Sequence, residues 1–232
     1  MHVTAIIAAA GMGSRMRNSV NKHLLLIAGK PVLARTLATF QSCTGIDDIV
    51  LVGGQERLDA YRSLVAEFGI SKVRVIVPGG ETRQESCERG LAEAGGADIV
   101  VMHDGARPLV SQQVILETIE QAARHGAAIA AVPVKDTIKT GTAAGFVAHT
   151  VEREHLWQVQ TPQTFRVELL RQAQEAARDV FVGTDDSVLV ERLGLPVKIV
   201  CGDYSNIKIT TADDLLVAEH LLRQMKRVAV HE

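Results

Sequence analysis

The sequence predicts a doubly wound α/β domain built on a mainly parallel sheet, and two observations carry this. Short runs rich in β-branched residues alternate with longer stretches of helical period along the chain. The runs themselves, AIIAAA at 5–10 and IVVM at 99–102, are apolar throughout rather than alternating, which marks strands covered on both faces by helices. The 232 residues contain no repeat, low-complexity tract or linker, so 1–232 is expected to form one domain.

The elements follow in order. Strands are expected at 3–10, 48–52, 73–77, 98–103, 127–132 and 197–200. Amphipathic helices are expected at 31–41, 55–68, 82–93, 111–124, 166–178, 184–193 and 212–226. Pro31 at a first helical position and Ser111 as an N-cap are start signals. One stretch breaks the rhythm: KDTIKTGTAAGFVAHTVERE at 135–154 places TIKT and FVAHTV around a Gly-rich turn, the pattern of a β-hairpin. An isolated hairpin is marginal in water, so it lies either against a partner subunit or back on its own sheet.

Composition narrows the function. A net charge of −2 argues against a general affinity for nucleic acid or acidic membranes, because both need a broad basic face. Three widely spaced cysteines, Cys43, Cys87 and Cys201, suit neither a disulfide framework nor a C-x-x-C metal site, and fit a reducing cytoplasm. The first apolar run lacks the basic flank of a signal peptide, and no segment approaches the roughly twenty apolar residues that cross a bilayer.

In a doubly wound sheet ligands collect beyond the carboxyl ends of the strands, so the residues just after each strand matter most. The first strand runs into AAAGMGSRMRNSVNK at 8–22. This is not a dinucleotide fingerprint, since Met16 stands where a third small residue is needed. Nor is it a P-loop, since the only Gly-Lys pair, Gly29-Lys30, precedes proline. What remains is backbone N–H groups at Gly11 and Gly13, Arg15 able to fork onto phosphate oxygens and Lys22 as a point charge, or else a tight turn with solvated cations.

HDGARP at 103–108 offers Asp104 to hold Mg²⁺, usually through water, or to orient a hydroxyl, with Arg107 to clamp a phosphate; the alternative is an ion pair between the two. His103 is expected to be packed or hydrogen-bonded rather than a base. GGETRQES at 79–86 lets a flat ring approach two glycines beside Arg83 and Ser86, and is equally a turn plus a helix cap. Thr137, Arg153, Thr161, Thr184 and Lys208 fall in short polar stretches near strand or hairpin ends, where each could contact a phosphorylated polyol.

The inventory holds many phosphate-binding groups and no Ser-His-Asp order, paired glycosidase-like acids or metal-ligand histidine spacing. That suits a nucleophile needing no activation, such as a substrate phosphate whose second pKa is about 6. The protein would then act by positioning and charge neutralisation.

AAAGMGSRM with NKHLL, then GGETRQES, HDGARPL, PVKDTIK, HTVERxxLWxxQTPQTF, GTDDS and NIKITTADDL, in that order over 8–215, resemble the 2-C-methyl-D-erythritol 4-phosphate cytidylyltransferase family of the non-mevalonate isoprenoid pathway. The resemblance implies a Rossmann-like nucleotidyltransferase sheet that transfers a cytidylyl group from CTP to methylerythritol phosphate with Mg²⁺, releasing pyrophosphate. It implies that Arg15 and Lys22 stabilise the pentavalent transition state. Ala9, Ala10, Gly11 and Gly13 would hold CTP together with Gly80, Glu81 and Ser86. Asp104, Arg107, Thr137, Arg153, Thr161 and Lys208 would bind the polyol phosphate, with Asp104 touching the metal indirectly. The hairpin becomes a dimerisation arm that carries Arg153 to the site of a second copy in a homodimer.

Three positions depart from the family pattern. Asn21 and His23 stand beside Lys22 in place of proline and glutamine, altering the lysine's approach. Gly105 replaces alanine and is expected to loosen its turn, and Ser14 replaces a basic residue. Two rival readings are a ribitol-5-phosphate cytidylyltransferase, which would share the loop and the lysine, and a catalytically silent nucleotide-binding subunit.

Overall fold

The computed structural model describes residues 1–11 and 21–231. Its strands are β1 (Val3–Ala9), β2 (Leu26–Ile27), β3 (Lys30–Pro31), β4 (Asp48–Gly53), β5 (Val73–Pro78), β6 (Ile99–Asp104), β7 (Ala127–Pro133), β8 (Ile138–Gly141), β9 (Val147–Val151), β10 (Trp157–Arg166) and β11 (Lys198–Cys201). The helices are α1 (Val32–Ser42), α2 (Leu58–Glu67), α3 (Arg83–Ala92), α4 (Gln112–His125), α5 (Val167–Ala177), α6 (Ser187–Arg192) and α7 (Ala212–His231).

Seven strands form one sheet in the order β11-β7-β10-β6-β1-β4-β5. All neighbours are parallel except β10, which runs antiparallel to both β6 and β7. β1 lies between β4 and β6, and its residues feed two helical layers in turn. Ala5, Ile7 and Ala9 pack with Leu37 and Phe40 of α1 and Tyr61 of α2, while Ile6 packs with Leu91 of α3 and Leu170 of α5. Burial on both sides is why the strand is apolar at consecutive positions. The register sets Ala8 beside Asp104, so the end of β1 and the HDGARP turn are neighbours across the sheet.

The six expected parallel strands are present with ends shifted by at most one residue, and the structure adds what the pattern did not show. β10 is an antiparallel strand in the middle of the sheet, although Gln160, Thr161, Gln163 and Thr164 within it are polar, because all four are buried and hydrogen-bonded. The register shifts between Val159 and Gln163, at the cis Thr161–Pro162 peptide. β2 and β3 form a further small ladder. The helix expected from 55 opens as a 3-10 turn, Gln55–Arg57, before α2. The one expected from 184 starts at Ser187, since Asp185 and Gln163 take the first N–H groups.

The hairpin exists as β8 and β9, paired only with each other and not added to the main sheet. Its tip leaves Phe146 72% and Val147 64% exposed, so it does not fold back over the core. Among the described residues no helix is long and apolar enough to cross a membrane.

Candidate active site

At the carboxyl ends of β1, β4, β5 and β6 the structure opens a cavity of about 740 Å³. Ala8, Ala10 and Gly11 line it from β1 and the loop behind it, residues 54–56 from the turn after β4, and residues 79–83 with Ser86 and Arg89 from the loop and helix after β5. Asp104 and Ala106 complete it from β6, with Lys22, His23, Lys208 and Thr210 across from them.

The wall after β5 is shaped by close approach. Gly79 N–H donates to Gly53 O at 2.8 Å, and a Cβ on Gly79 would lie 2.3 Å from that of Ala10, so no other residue fits without moving β1. The Ser86 hydroxyl accepts the Gly80 N–H at 3.0 Å and donates to Thr82 O at 2.9 Å. Thr82 caps α3 by accepting Glu85 N–H, and Glu85 accepts Glu81 N–H. The expected ring-reading segment is therefore a rigid turn held by its own side chains.

The wall after β6 is a charge cluster around Asp104. Lys208 Nζ lies 3.0 Å and Arg107 Nε 3.3 Å from its Oδ2, and Arg83 Nε lies 4.0 Å from its Oδ1. Burial alone would raise the Asp104 pKa, but Lys208, Arg83 and Arg107 hold it well below the usual carboxylate range. The expected ion pair with Arg107 is present, and the Asp104 carboxylate still faces the cavity. Arg83 also binds Asp186 at 2.7 Å; burial opposes its charge, but Asp186 and Asp104 outweigh that and raise its pKa. Three cations meet two carboxylates, which leaves one positive charge in excess to attract an anion.

Support comes from β10. The Thr161 hydroxyl accepts Asp104 N–H at 3.1 Å and meets His103 Nδ1 at 3.0 Å, while His103 Nε2 meets Arg107 O at 3.1 Å. A carbonyl can only accept, so Nε2 carries the proton and Nδ1 accepts from Thr161. Burial lowers the His103 pKa to about 4, so this imidazole is neutral and has both nitrogens engaged. Arg107 Nη1 is fixed on Asn206 O at 2.8 Å, and Asn206 Nδ2 donates to Thr161 O at 2.8 Å.

The cavity brings together Ala10, Gly11, Lys22, Gly80, Glu81, Ser86, Asp104 and Lys208 of the expected set. Ala9 is fully buried beneath it, and Thr161 and Arg107 stand behind Asp104 as its supports. Thr137, Arg153 and Thr184 are exposed and do not line it; Arg153 donates instead to Lys135 O at the base of the hairpin. Arg15 and Gly13 lie outside the described residues.

Gly105 is not loose: an alanine Cβ there would lie 3.1 Å from Leu33 Cδ1 and 3.2 Å from Ala8 O. Asp186 lies in GTDDS, but no role was expected for it, since its partner Arg83 is 103 positions away. Arg83 itself was signalled by its place in GGETRQES.

Among the described residues no group of three or more His, Cys, Asp or Glu side chains could hold a metal ion. With cations on both of its oxygens, Asp104 fits an ion held at one remove, through water, and not one bound directly.

Residues 3–224 match the family model of 2-C-methyl-D-erythritol 4-phosphate cytidylyltransferase. The chain is 47% identical over 230 residues to the enzyme of that name from Geotalea uraniireducens, covering 97% of this chain and 98% of that protein. It is 49% identical over 224 residues to the one from Pelotomaculum thermopropionicum, covering 95% and 94%. Its fold is similar to the crystal structure of 4-diphosphocytidyl-2C-methyl-D-erythritol synthase from Anaerococcus prevotii, with a TM-score of 0.84 and 32% identity over 96% of each chain. It is also similar to the cytidylyltransferase structure from Thermus thermophilus, with a TM-score of 0.77 and 34% identity over 96% of this chain and 100% of that one. With the strand-end cavity, its glycine-lined wall and its cationic wall already in place, these matches settle the assignment: the chain belongs to the 2-C-methyl-D-erythritol 4-phosphate cytidylyltransferase family.

Proposed function

We propose that this protein transfers the cytidylyl group of CTP to 2-C-methyl-D-erythritol 4-phosphate, giving 4-diphosphocytidyl-2-C-methyl-D-erythritol and pyrophosphate, in isoprenoid precursor biosynthesis in the cytoplasm. The observation that carries the reading is one cavity with two unlike walls: a glycine turn that admits a flat base, and opposite it the Asp104 cluster with its excess positive charge. The base and ribose lie against Gly80, Glu81 and Ser86, and the triphosphate follows the loop from Ala9 and Ala10 through Gly11 and Gly13. Lys208 receives the acceptor phosphate and Asp104 a hydroxyl of the polyol, while Arg107, fixed on Asp104 and Asn206 O, adds its charge from behind.

An acceptor phosphate oxygen forms a bond to the α-phosphorus as the bond from that phosphorus to the bridging oxygen of pyrophosphate breaks. No proton has to leave the nucleophile near pH 7, because the phosphate is already ionised. The buried histidines fit this, being neutral and hydrogen-bonded. Arg15 and Lys22 stabilise the additional negative charge on the five-coordinate phosphorus. A divalent cation such as Mg²⁺ would supply charge neutralisation on the triphosphate when bound, with Asp104 holding it through water.

The working form is a homodimer. Thr137 and Arg153, which stand outside the cavity of their own chain, complete the acceptor site of the second copy from the base of the β8–β9 arm. The exposed Phe146 and Val147 at its tip support this reading.

The test is steady-state pyrophosphate release from CTP with methylerythritol phosphate or ribitol 5-phosphate as acceptor. Turnover is expected with the first, and equal or better turnover with ribitol phosphate would overturn the choice. Arg15→Ala and Lys22→Ala are each expected to lower turnover by at least ~10²-fold while nucleotide affinity changes little. A silent nucleotide-binding subunit would instead bind CTP and release no pyrophosphate.

A further inference from the structure

We infer that Asn21, His23 and Tyr61 form a clamp that positions Lys22 against the carboxyl end of β1, so that these three act as positioning residues for the lysine between the first two. The inference rests on the role proposed above for Lys22.

Tyr61, on α2, is fully buried and lines no part of the cavity, yet its hydroxyl is where three segments meet. It lies 3.1 Å from Ala9 O, 3.2 Å from Asn21 Nδ2 and 3.2 Å from His23 Nδ1. A phenol has one proton, and the Ala9 carbonyl can only accept it. The tyrosine oxygen therefore receives the Asn21 amide and His23 as donors, and Nδ1 of His23 must carry a hydrogen.

The other atom facing Nδ1 agrees. Asn21 Oδ1 lies 3.1 Å from Nδ1 and also accepts the His23 backbone N–H at 3.1 Å. Burial, then the charges of Lys22 and Arg57, lower the His23 pKa to about 3, so the ring is neutral near pH 7 and adds no third cation beside Lys22. Leu24 N–H donates to Asn21 O at 3.0 Å and Leu33 N–H to His23 O at 2.9 Å, which fixes the backbone of the same turn.

Both neighbours of Lys22 are thus tied through one oxygen to Ala9, the last residue of β1, where the nucleotide loop begins. Such a tie bears on the rate. A lysine is a point charge on a long flexible stem, and a misplacement of about 1 Å at a reacting centre can lower a rate by about 10²-fold.

Tyr61→Phe removes one oxygen from a place that touches no ligand. It is expected to lower kcat at least ~10-fold while the CTP KM stays within about twofold. Asn21→Ala and His23→Ala should behave alike, and His23→Gln, whose amide still donates an N–H, should recover most of the rate. In a Lys22→Ala background Tyr61→Phe should change kcat no further, because what it positioned is gone.

A folded Tyr61→Phe enzyme with full kcat, beside a slow Lys22→Ala, would overturn the clamp and leave Lys22 in its role. Independent, multiplying effects in the double variant would likewise overturn action through Lys22. Normal turnover by Lys22→Ala would remove the role of Lys22 and the clamp with it. If Tyr61→Phe does not fold, the same comparison is made with Asn21→Ala.

Discussion

At the scale of single residues, the site is governed by where polar groups are buried and what satisfies them. Asp104 is 7% exposed and held by three cations, so its anion stabilises the folded chain as well as facing the cavity. Asp104→Asn keeps the shape and removes the charge, leaving Lys208, Arg107 and Arg83 to repel one another. It is expected to cost roughly 3 kcal/mol in chemical denaturation and to raise the acceptor KM more than the CTP KM. An unchanged stability would show that solvent, not Asp104, balances these cations. Asp104, Lys208 and Ser86 were legible in the sequence because each sits in a short run of turn and charge residues beside a strand end. The roles of Asp186, although it sits in GTDDS, and of Tyr61 were not, because they come from segments brought together only by the fold: Asp186 meets Arg83 and Tyr61 meets Ala9.

At the scale of elements, the parallel strands were legible because burial on both faces leaves an uninterrupted apolar run. β10 was hidden by the same logic. Its Gln160, Thr161, Gln163 and Thr164 are buried by hydrogen bonding, which hydropathy does not register, and it contains Pro162, which argues against a central strand. The hairpin was legible from its turn, and the structure resolves one of its two alternatives by leaving it off the main sheet. Its role in association is testable by deleting residues 140–147. The shortened protein should be monomeric in light scattering, with a raised acceptor KM and an unchanged fold by circular dichroism. Persistent dimers would place the interface elsewhere.

At the scale of the whole molecule, acid sensitivity follows from two histidines buried as neutral rings. Burial lowers the pKa from an ordinary 6.5 to about 3 for His23 and about 4 for His103. Between pH 6.5 and about 4 the unfolded chain therefore binds protons that the folded chain refuses, so stability rises with pH across that window. Each histidine should contribute about 2 kcal/mol of loss on going from pH 7 to pH 5. The Asp104 pKa is lowered too, but in a carboxylate this favours the charged form, so its contribution is kept near neutral pH and is lost only as pH falls through and below the ordinary carboxylate range. Denaturant unfolding at pH 7, 6 and 5 should show the slope, and His103→Gln should flatten it. Equal stability at pH 7 and 5 would mean that both rings gain protons without unfolding.

The reversed direction of β10 has a consequence for how the molecule would be controlled. Because it runs against β6 and β7, its first residues stand at the catalytic edge, directly after the arm, and only four positions separate Trp157 from Thr161 and so from the amide of Asp104. In the proposed dimer, a tug at the arm would thus arrive at Asp104 in the acceptor site with almost no intervening chain. Specific activity should fall on dilution through the association midpoint, making catalytic output a gauge of how much of the protein is paired.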